Sequence, residues 1–440
     1  MGIANNPSDA ISPAMQEARN LWWQMYVNRP PWADCEVRPL GLPGALGREL
    51  ARHVLSEFSV RVSGGERARF LNDQLREAGK NFCRCLELGL CLGGIALRPY
   101  LDHGRLFVDI SAVNFLPTRF DGTGKAVGGL FKSNPVREGN RFFVRLESHD
   151  FISRPGGEQV YVIRNRAFVS NIDGCIGSEV PLSEVSAWKD LEPETCIQDL
   201  THPLFAYFKP PVSNDIDPES QLGVSVYGGA AAELIRQADE QWKLLRWEYA
   251  SGKRRVYVDG ISEEQFDDDI FVAGPFSSDG NFFQVFSPDF RDDPLYNGFQ
   301  RILQRIEFQT GLAYGTISDP QSVEKTATEI IAAKHRQYVT EKGIQKAFQS
   351  ALDGLLFAMD AWCDLAGLAP HGPFQTQYHW GDGVLDDPET RRLDMSLDAE
   401  LVEKGLLLPW EFRMKWFDEE EAAAKALINQ SIGKESSYES

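Results

Sequence analysis

The residues whose types and spacing come nearest to phosphate chemistry lie at Gly122–Lys125. A phosphate-binding loop needs an earlier glycine, and its lysine is followed by serine or threonine. Here Arg119 occupies the position of the earlier glycine, and Ala126 occupies that of the hydroxyl residue. The segment therefore predicts a hairpin turn, and ATP hydrolysis by this chain is not expected.

The serine and histidine residues do not form a catalytic pattern either. Gly223–Tyr227 resembles a nucleophile elbow but ends in tyrosine where the second glycine should stand. His371 and His379 are spaced too widely for a zinc-binding helix motif, and His149 has no sequence partner that indicates catalysis. The sequence therefore predicts no enzymatic activity.

The cysteines do not form a metal site by spacing. The chain has 7 cysteines, and Cys83, Cys85, Cys91 and Cys363 lie in apolar helical patterns that predict buried free thiols. Cys83, Cys85 and Cys91 match no common zinc spacing, and no histidine pair completes them. We therefore predict neither a metal nor a cofactor.

An acidic segment between residues 259 and 293 follows three consecutive basic residues. Arg291 is its only base, and the calcium-loop template is absent. A solvated acidic face is one interpretation. A docking surface for another protein is the other, and we favour it because a basic collar adjoins the acids. The residues predicted to dock are Lys253, Arg254, Arg255, Asp267, Asp268 and Asp269.

The overall composition favours a folded, acidic protein. The chain has 440 residues, 42% of them hydrophobic, and a net charge of −19. A protein that grips DNA tightly is usually basic, whereas an acidic surface lets DNA slide past. No apolar run reaches the ~20 residues that span a bilayer. Residues 1–10 lack the layout of a secretory signal, so we expect the protein in a cytosol.

The first half of the chain reads as a mixed α+β domain. Apolar residues at helical spacing predict helices over 12–28 and 65–92. From residue 95 the apolar period changes to two, which predicts an antiparallel meander. Its strands are expected at 95–100, 106–110, 115–120, 129–132, 142–147 and 160–165.

The second half is mainly helical. Helices are predicted over 227–251 and 297–313, with a compact insert at 253–295 between them that has short strands at 256–258 and 282–286. A long helix over 322–366 would span roughly 68 Å, with Gly343 and Gly354 as bend points. A strand at 374–380 and helices at 398–404 and 409–429 follow, and 430–440 reads as disordered.

Several short runs resemble the portal proteins of long-tailed, siphophage-type bacteriophages. They are Pro203–Pro210, Asn214, Leu222–Tyr227, Glu248–Lys253 and Thr326–Ile330, together with the Pro117 hairpin and the pair Glu147 and His149 before the strand of Tyr161. The resemblance extends from about Trp22 to Leu427. The order and spacing of the runs, and no single motif, make up the similarity.

The resemblance implies a portal fold with an α/β wing, a two-helix stem, a small α/β clip, a long bent spine helix and a helical crown. The corresponding ranges are wing 1–222, first stem helix 223–251, clip 252–295, second stem helix 296–313, tunnel loop 314–322, spine helix and return to the wing 323–398, and crown 399–440.

Portal subunits form a ring of about twelve at one capsid vertex, a closed homo-oligomer through which double-stranded DNA is packaged and ejected. The resemblance implies that the terminase large subunit and later the head–tail adaptor dock at the clip. Further partners would be the major capsid and scaffolding proteins, and no membrane is expected. The protein would reside in the virion, after assembly in the host cytoplasm.

Polar residues of the tunnel loop are expected to contact passing phosphates weakly, with Lys325 as the nearest cation. They are Thr316, Ser318, Gln321 and Ser322. Arg301 and Arg305, one helical turn apart, face either DNA or a neighbouring subunit, and we favour an inter-subunit salt bridge. Two alternatives remain: another oligomeric virion scaffold or adaptor that uses the long helix as a coiled coil, and an ATP-driven packaging enzyme.

Overall fold

The computed structural model describes most of the chain and divides it into two units, Met1–Gly381 and Asp382–Ser440. The described residues are 11–154, 157, 159–252, 255–258, 271–273, 283–286, 289, 291–320, 327–381, 388–417, 419 and 424–428. For 255–258, 271–273, 283–286, 327–334, 388–391 and 393–394 only the backbone is described.

The helices occur along the whole chain. They are α1 Pro13–Tyr26, α2 Leu42–Leu55, α3 Glu66–Gly79, α4 Phe82–Leu92, α5 Ala230–Ser251, α6 Asp292–Thr310, α7 Ala327–Ala366, α8 Pro388–Glu403 and α9 Pro409–Phe417. The longest is α7, with 40 residues. The Ser12 hydroxyl caps α1 by accepting a hydrogen bond from the Met15 amide, and Pro13 starts the helix.

The strands form four sheets in the described chain. They are β1 Ser59–Gly64, β2 Ile95–Asp102, β3 Arg105–Ser111, β4 Phe115–Phe120, β5 Ala126–Lys132, β6 Val136–Glu138, β7 Arg141–Ser153, β8 Gln159–Ser170, β9 Ser178–Val180, β10 Glu194–Ile197, β11 Ala206–Phe208, β12 Arg255–Val258, β13 Phe271–Ala273, β14 Phe283–Phe286 and β15 Phe374–His379. The largest sheet has the order β10-β8-β7-β5-β4, with β6 on β7 and β9 on β8. The others are β11-β2-β3, β13-β12-β14 and β1-β15.

The predicted α+β class is confirmed, and the meander follows from its turns. His103 and Gly104 join β2 to β3 with φ of 45° and 75°. Positive φ at both central residues matches the twist of a two-residue hairpin. Asp121 organises the next turn, where its Oδ1 accepts from the Thr123 and Lys125 amides at 2.8 and 2.9 Å. Gly122–Lys125 is thus a hairpin turn, as predicted.

The long helix α7 completes the core of the N-terminal region. Its buried face, which includes Ile344, Phe348 and Met359, belongs to one apolar cluster with residues of α1 to α4, β2 and β11. The Phe348 ring lies 5.6 Å from that of Phe82, edge to face. Because β15 follows α7 and pairs antiparallel with β1, both halves of the chain form one body.

A buried arginine fastens α3 to the end of α7. Arg67 is 1% exposed. Its guanidinium donates to the Asp360 backbone oxygen at 2.9 Å and carboxylate at 2.8 Å, and to the Pro370 oxygen at 2.9 Å. It also forms an ion pair with Asp364. A buried guanidinium requires such complete pairing, so this contact fixes the C-terminal end of α7.

Several elements of the N-terminal region were not predicted, namely α2, β1, β6, β9, β10 and β11, and one predicted helix was too long. Helix α2 and strand β1 fill the stretch between the first two predicted helices. The helix predicted over 65–92 is two helices, because the chain turns at Lys80 and Asn81, between α3 and α4. That turn leaves Cys83 exposed, so its prediction as a buried thiol was wrong, whereas Cys85, Cys91 and Cys363 are buried.

Predicted helix α5 starts later than expected. Residues 222–229 are irregular, and 222–227 are buried against the N-terminal region, where Val226 donates its amide to the Leu90 oxygen at 3.0 Å. Gly229, with φ of 54°, precedes the helix. On α5, Tyr249 is 51% exposed, whereas Glu248 is buried. Gly252 ends α5, as predicted.

The two glycines of α7 lie within an unbroken helix. A Cβ on Gly354 would lie 3.3 Å from the Ala206 Cβ, which is a tight contact. Gly354 therefore permits the close approach of α7 to β11. The bend itself stays a prediction.

The second unit, Asp382–Ser440, contains α8 and α9, and residues 424–428 are also helical. Asp398 of α8 accepts from the Lys415 ammonium at 2.6 Å and from the Trp416 indole at 2.9 Å. These bonds join the two helices. The predicted disordered segment, 430–440, lies outside the described residues. No helix among the described residues is long and apolar enough to cross a membrane.

Candidate functional site

The helices α5 and α6 form a hairpin that projects the three-stranded insert β13-β12-β14. The Trp242 and Phe299 rings pack 5.6 Å apart between the helices. The Gln241 amide group donates to the Leu295 oxygen at 3.1 Å. The order of helix, insert and helix is the one predicted from the sequence.

Glu248 and Arg291 close the hairpin next to the insert. The Arg291 backbone amide donates to Glu248 Oε1 at 3.1 Å, and its guanidinium donates to Oε2 at 2.9 Å. The hydrogen bond from the Arg291 side chain lowers the pKa of the Glu248 carboxyl. Glu248 therefore caps the start of α6 and holds the two insert-proximal ends together.

The loop after α6 is organised around the buried carboxylate of Glu307. Glu307 is 0% exposed. Its Oε1 accepts from the Ile317 and Ser318 amides at 2.7 and 2.9 Å. Its Oε2 accepts from the Ser318 hydroxyl at 2.8 Å and from the Gly315 amide at 3.2 Å. The Glu307 carboxylate thus accepts from the backbone amides of Gly315, Ile317 and Ser318 and fixes the shape of the loop.

Helix α7 supplies a cation to the same loop. The Arg336 guanidinium lies 4.8 Å from the ring centres of both Phe308 and Tyr314. It also donates to the Leu312 oxygen at 3.2 Å. The Gln337 side chain accepts from the Ala313 amide at 3.1 Å. Helix α7 therefore holds the loop through Arg336 and Gln337, and Arg336 also packs on Phe308 of α6.

The structure separates the predicted tunnel-loop residues. Ser318 is 4% exposed and bound to Glu307, so its side chain does not project from the loop. The Thr316 hydroxyl is half-buried and donates to the Ala313 oxygen at 2.7 Å. Gln321, Ser322 and Lys325 lie outside the described residues. The sequence pattern did not reveal Glu307 or Arg336, whose roles depend on contacts between helices.

The predicted cations of α6 are both on the outside. Arg301 and Arg305 are exposed. They share one helix face, because residues four apart are neighbours on a helix. This position suits either a phosphate or a carboxylate of a neighbouring subunit, so both alternatives remain.

The predicted docking surface is described only in part. Arg255 begins β12 and pairs with Phe286 of β14. Its side chain lies outside the described residues, and so do Lys253, Arg254, Asp267, Asp268 and Asp269.

The pair Glu147 and His149 belongs to a buried polar network in the largest sheet. His149 Nε2 lies 2.7 Å from Glu147 Oε1, and Nδ1 lies 2.7 Å from the Tyr161 hydroxyl. The Leu204 amide donates to that hydroxyl at 3.0 Å. Tyr161 therefore donates to Nδ1, and Nε2 donates to Glu147.

Glu147 also pairs with two arginines, Arg98 and Arg145. Burial alone would raise the pKa of Glu147. The hydrogen bond from His149 and the charges of Arg98 and Arg145 outweigh burial, and they hold that pKa well below its usual range. The network therefore joins β7 and β8 to β2, with His149 at 3% exposure.

The structure also shows the positions of the remaining residues that the sequence raised for catalysis or metal binding. Ser225 is 1% exposed, and its hydroxyl accepts from the Tyr227 amide at 3.3 Å. It therefore does not stand on an accessible nucleophile elbow. Within the described ranges, no three or more histidine, cysteine, aspartate or glutamate residues are grouped to hold a metal ion.

No protein-family model and no curated protein matches the chain. The functional argument therefore depends on the order of the elements and on the contacts described above.

Proposed function

We propose that this chain is a portal subunit that forms the ring-shaped conduit for double-stranded DNA at one capsid vertex. The supporting observation is the arrangement of α5, insert, α6, the loop fixed by Glu307, and a 40-residue helix that returns into the N-terminal core. This is the order that the resemblance implies for stem, clip, stem, tunnel loop and spine. The protein acts without catalysis, and a separate terminase supplies the work of translocation.

The outer face of α5 supports assembly into a ring. Leu244 and Trp247 are 49% and 59% exposed, and a three-residue spacing places them on one face. On α6, Phe308 is 54% exposed. Large apolar side chains repeated on the outside of a helical hairpin indicate contact with another protein surface. In the proposed ring, that surface is the neighbouring stem.

The net charge of the chain suits a conduit. About twelve subunits of −19 would give a ring of about −230. Acidic surface repels the DNA backbone, so DNA does not adhere where that surface faces the channel. The insert is the docking platform for the terminase large subunit and then for the head–tail adaptor. The wing meets the major capsid and scaffolding proteins in the virion.

Electron microscopy of the purified full chain tests the proposal directly. We expect rings with a central hole and a symmetry of about twelve. Only monomers or dimers at high concentration, together with no rings in assembled particles, would contradict it. Leu244→Glu with Trp247→Glu should abolish rings without lowering the melting temperature. Ile172→Glu, at a wing residue 66% exposed, is the matched control and should leave rings intact.

The acidic insert has its own test. Asp267→Asn, Asp268→Asn and Asp269→Asn together should weaken binding of the terminase or adaptor, while electron micrographs still show rings. Unchanged DNA packaging by particles with this variant would show that the acidic cluster has no docking role.

The structure disfavours the two alternatives. The apolar stripe of α7 is buried within its own subunit, with Ile344 and Phe348 at 1% and 0% exposure, so it is not available as a coiled-coil seam. The lysine nearest a phosphate-loop pattern, Lys125, follows a turn organised by Asp121. ATP hydrolysis by the purified chain, measured as phosphate release, would favour the enzyme alternative.

A further inference from the structure

A cavity of about 300 Å³ lies between α1 and the edge of the largest sheet, apart from the stem and its loop. Its walls come from α1, the end of α4, the β3–β4 connection, β4, β5 and β7. The walls are mainly apolar and include Leu92, Phe115, Leu130 and Leu146. The volume is at the lower end of what binding pockets for small ligands or single side chains show.

The charged residues of this cavity are both cations. Arg19 and Lys132 line it, and no aspartate or glutamate is among its lining residues. This is notable because the whole chain has 64 acidic residues and 45 basic ones. The uncharged polar groups of the wall are the amides of Gln16, Asn20 and Asn114.

Neither cation has a carboxylate partner among the described residues. The Arg19 guanidinium donates to the Phe115 oxygen at 2.8 Å, and the Lys132 ammonium donates to the Gly174 oxygen at 2.6 Å. Each of the two side chains also has further N–H donors that these two bonds do not use. Burial lowers the pKa of Arg19, which shows the cost of holding this charge without a counter-ion. A bound anionic group would offset that cost.

The rim of the cavity is apolar and exposed. Trp23, Val113 and Ile176 line it and are 41%, 51% and 37% exposed. An apolar rim around half-buried cations fits a ligand that has an apolar body and a carboxylate. Nucleic acid fits poorly, because it requires an extended basic track and this chain is strongly acidic.

We propose that this cavity is a docking site for an acidic peptide segment of another protein. An aromatic or branched apolar side chain of the peptide enters between Leu92 and Leu130. A neighbouring aspartate or glutamate of the peptide pairs with Arg19 and Lys132, and the flanking residues lie on Trp23 and Val113. The inference goes beyond the DNA conduit and does not depend on it.

Selection of short random peptides on the full chain tests the proposal. The enriched peptides should have an apolar residue next to aspartate or glutamate. Arg19→Gln with Lys132→Gln should weaken their binding, measured by fluorescence anisotropy, at least about tenfold. Arg105→Gln with Lys125→Gln, an equal loss of charge at exposed positions, should not change it. Enrichment of basic peptides, no enrichment, or equal binding to both double variants would overturn the proposal.

A second pair of variants tests the site even if the first double variant does not fold. Val113→Glu places a carboxylate at the exposed rim and removes no hydrogen bond, so it should repel the selected peptides about tenfold. Val113→Lys, at the same position, should preserve their binding. If both variants bind equally, or if a DNA duplex competes with the peptides for the site, the proposal is wrong.

Discussion

Two largely buried carboxylates, one in the largest sheet and one beside the loop after α6, are satisfied in different ways. Glu147 pairs with two arginines and a histidine that come from β2 and β7. Glu307 accepts from backbone amides and one hydroxyl of a single short loop. The first carboxylate joins two sheets through side-chain charges, whereas the second shapes a loop through neutral donors.

This difference predicts which carboxylate is costlier to remove. Removing Glu147 leaves the Arg145 guanidinium in a largely buried site without a carboxylate partner, although Arg98 still pairs with Asp109. Removing Glu307 leaves only neutral donors without an acceptor, so the cost is smaller. The free energy of unfolding should therefore depend more on Glu147 than on Glu307.

The largest effect is expected at Glu147. Glu147→Ala should lower the free energy of unfolding by about 3 kcal/mol, because Arg145 loses its carboxylate partner in a largely buried site, while Arg98 keeps Asp109. Urea denaturation measures it. Glu179→Ala removes the exposed pair with Arg166 on the same sheet and should cost less than about 1 kcal/mol. Equal losses in the two variants would refute the distinction between them.

The next effect is expected at Glu307. Glu307→Ala should lower the free energy of unfolding by about 1–3 kcal/mol, since it removes the acceptor of several loop donors. Hydrogen exchange of the Ile317 and Ser318 amides should become faster, while exchange in β7 and β8 stays unchanged. Gln309→Ala, at an exposed neighbour, is the control. Slow exchange at Ile317 in Glu307→Ala would mean that other contacts fix the loop.

The pH dependence of stability should differ between Glu147 and Asp239, a buried residue of α5. Asp239 accepts from the Trp32 indole at 2.9 Å and the Leu40 amide at 2.8 Å. Burial raises the Asp239 pKa above 3.8, although these hydrogen bonds oppose the shift. A raised folded-state pKa means that the ionised form costs stability near neutral pH, and acid relieves this cost as the pH falls through that pKa.

Glu147 has the opposite sign. Its lowered pKa provides stability above the ordinary value of 4.5, and this stability is lost as the pH falls below that value. Denaturation between about pH 7 and about pH 2 checks both groups. Glu147→Gln should reduce the loss of stability in acid, whereas Asp239→Asn should increase it. Parallel pH curves for the two variants would contradict these assignments.

The smallest effect is expected at Ser318. Ser318→Ala removes the hydroxyl bond to Glu307 but keeps the backbone amide bond, so the free energy of unfolding should fall by about 0.5–1.5 kcal/mol. Thermal denaturation measures the loss, and Thr316→Ala is a comparison within the same loop. A loss as large as that of Glu307→Ala would show that the hydroxyl, and not the amides, is the main donor.

The sequence predicted those elements whose signal is local. Alternation and turn residues at His103, Gly104 and Asp121 indicated the meander, and Gly252 marked the end of α5. Strand β1 escaped prediction because it is short and pairs with β15, far along the chain. Helix α2 begins at Leu42, Pro43 and Gly44, which resemble a turn when the buried contacts that stabilise the helix are unknown.

The candidate site was only partly predictable for the same reason. The short polar residues of the loop suggested exposure, but Ser318 is turned inward by a carboxylate on α6. Composition does not reveal the direction of a side chain, since Glu307, in the last turn of α6 and 11 residues earlier in the chain, decides it for Ser318. Likewise, Arg336 reaches the loop only because α7 passes beside it.

The pairing of β1 with β15 also determines when β1 can form its sheet during protein synthesis. Val60 pairs with Tyr378, so the ribosome must add more than three hundred residues before β1 finds its partner. At typical elongation rates this takes roughly 15–60 s. During that interval β1 is an open strand edge, and α2 and α3 lack the cover of α7. Nascent chains shorter than about 380 residues should therefore be the form of this protein that chaperones bind.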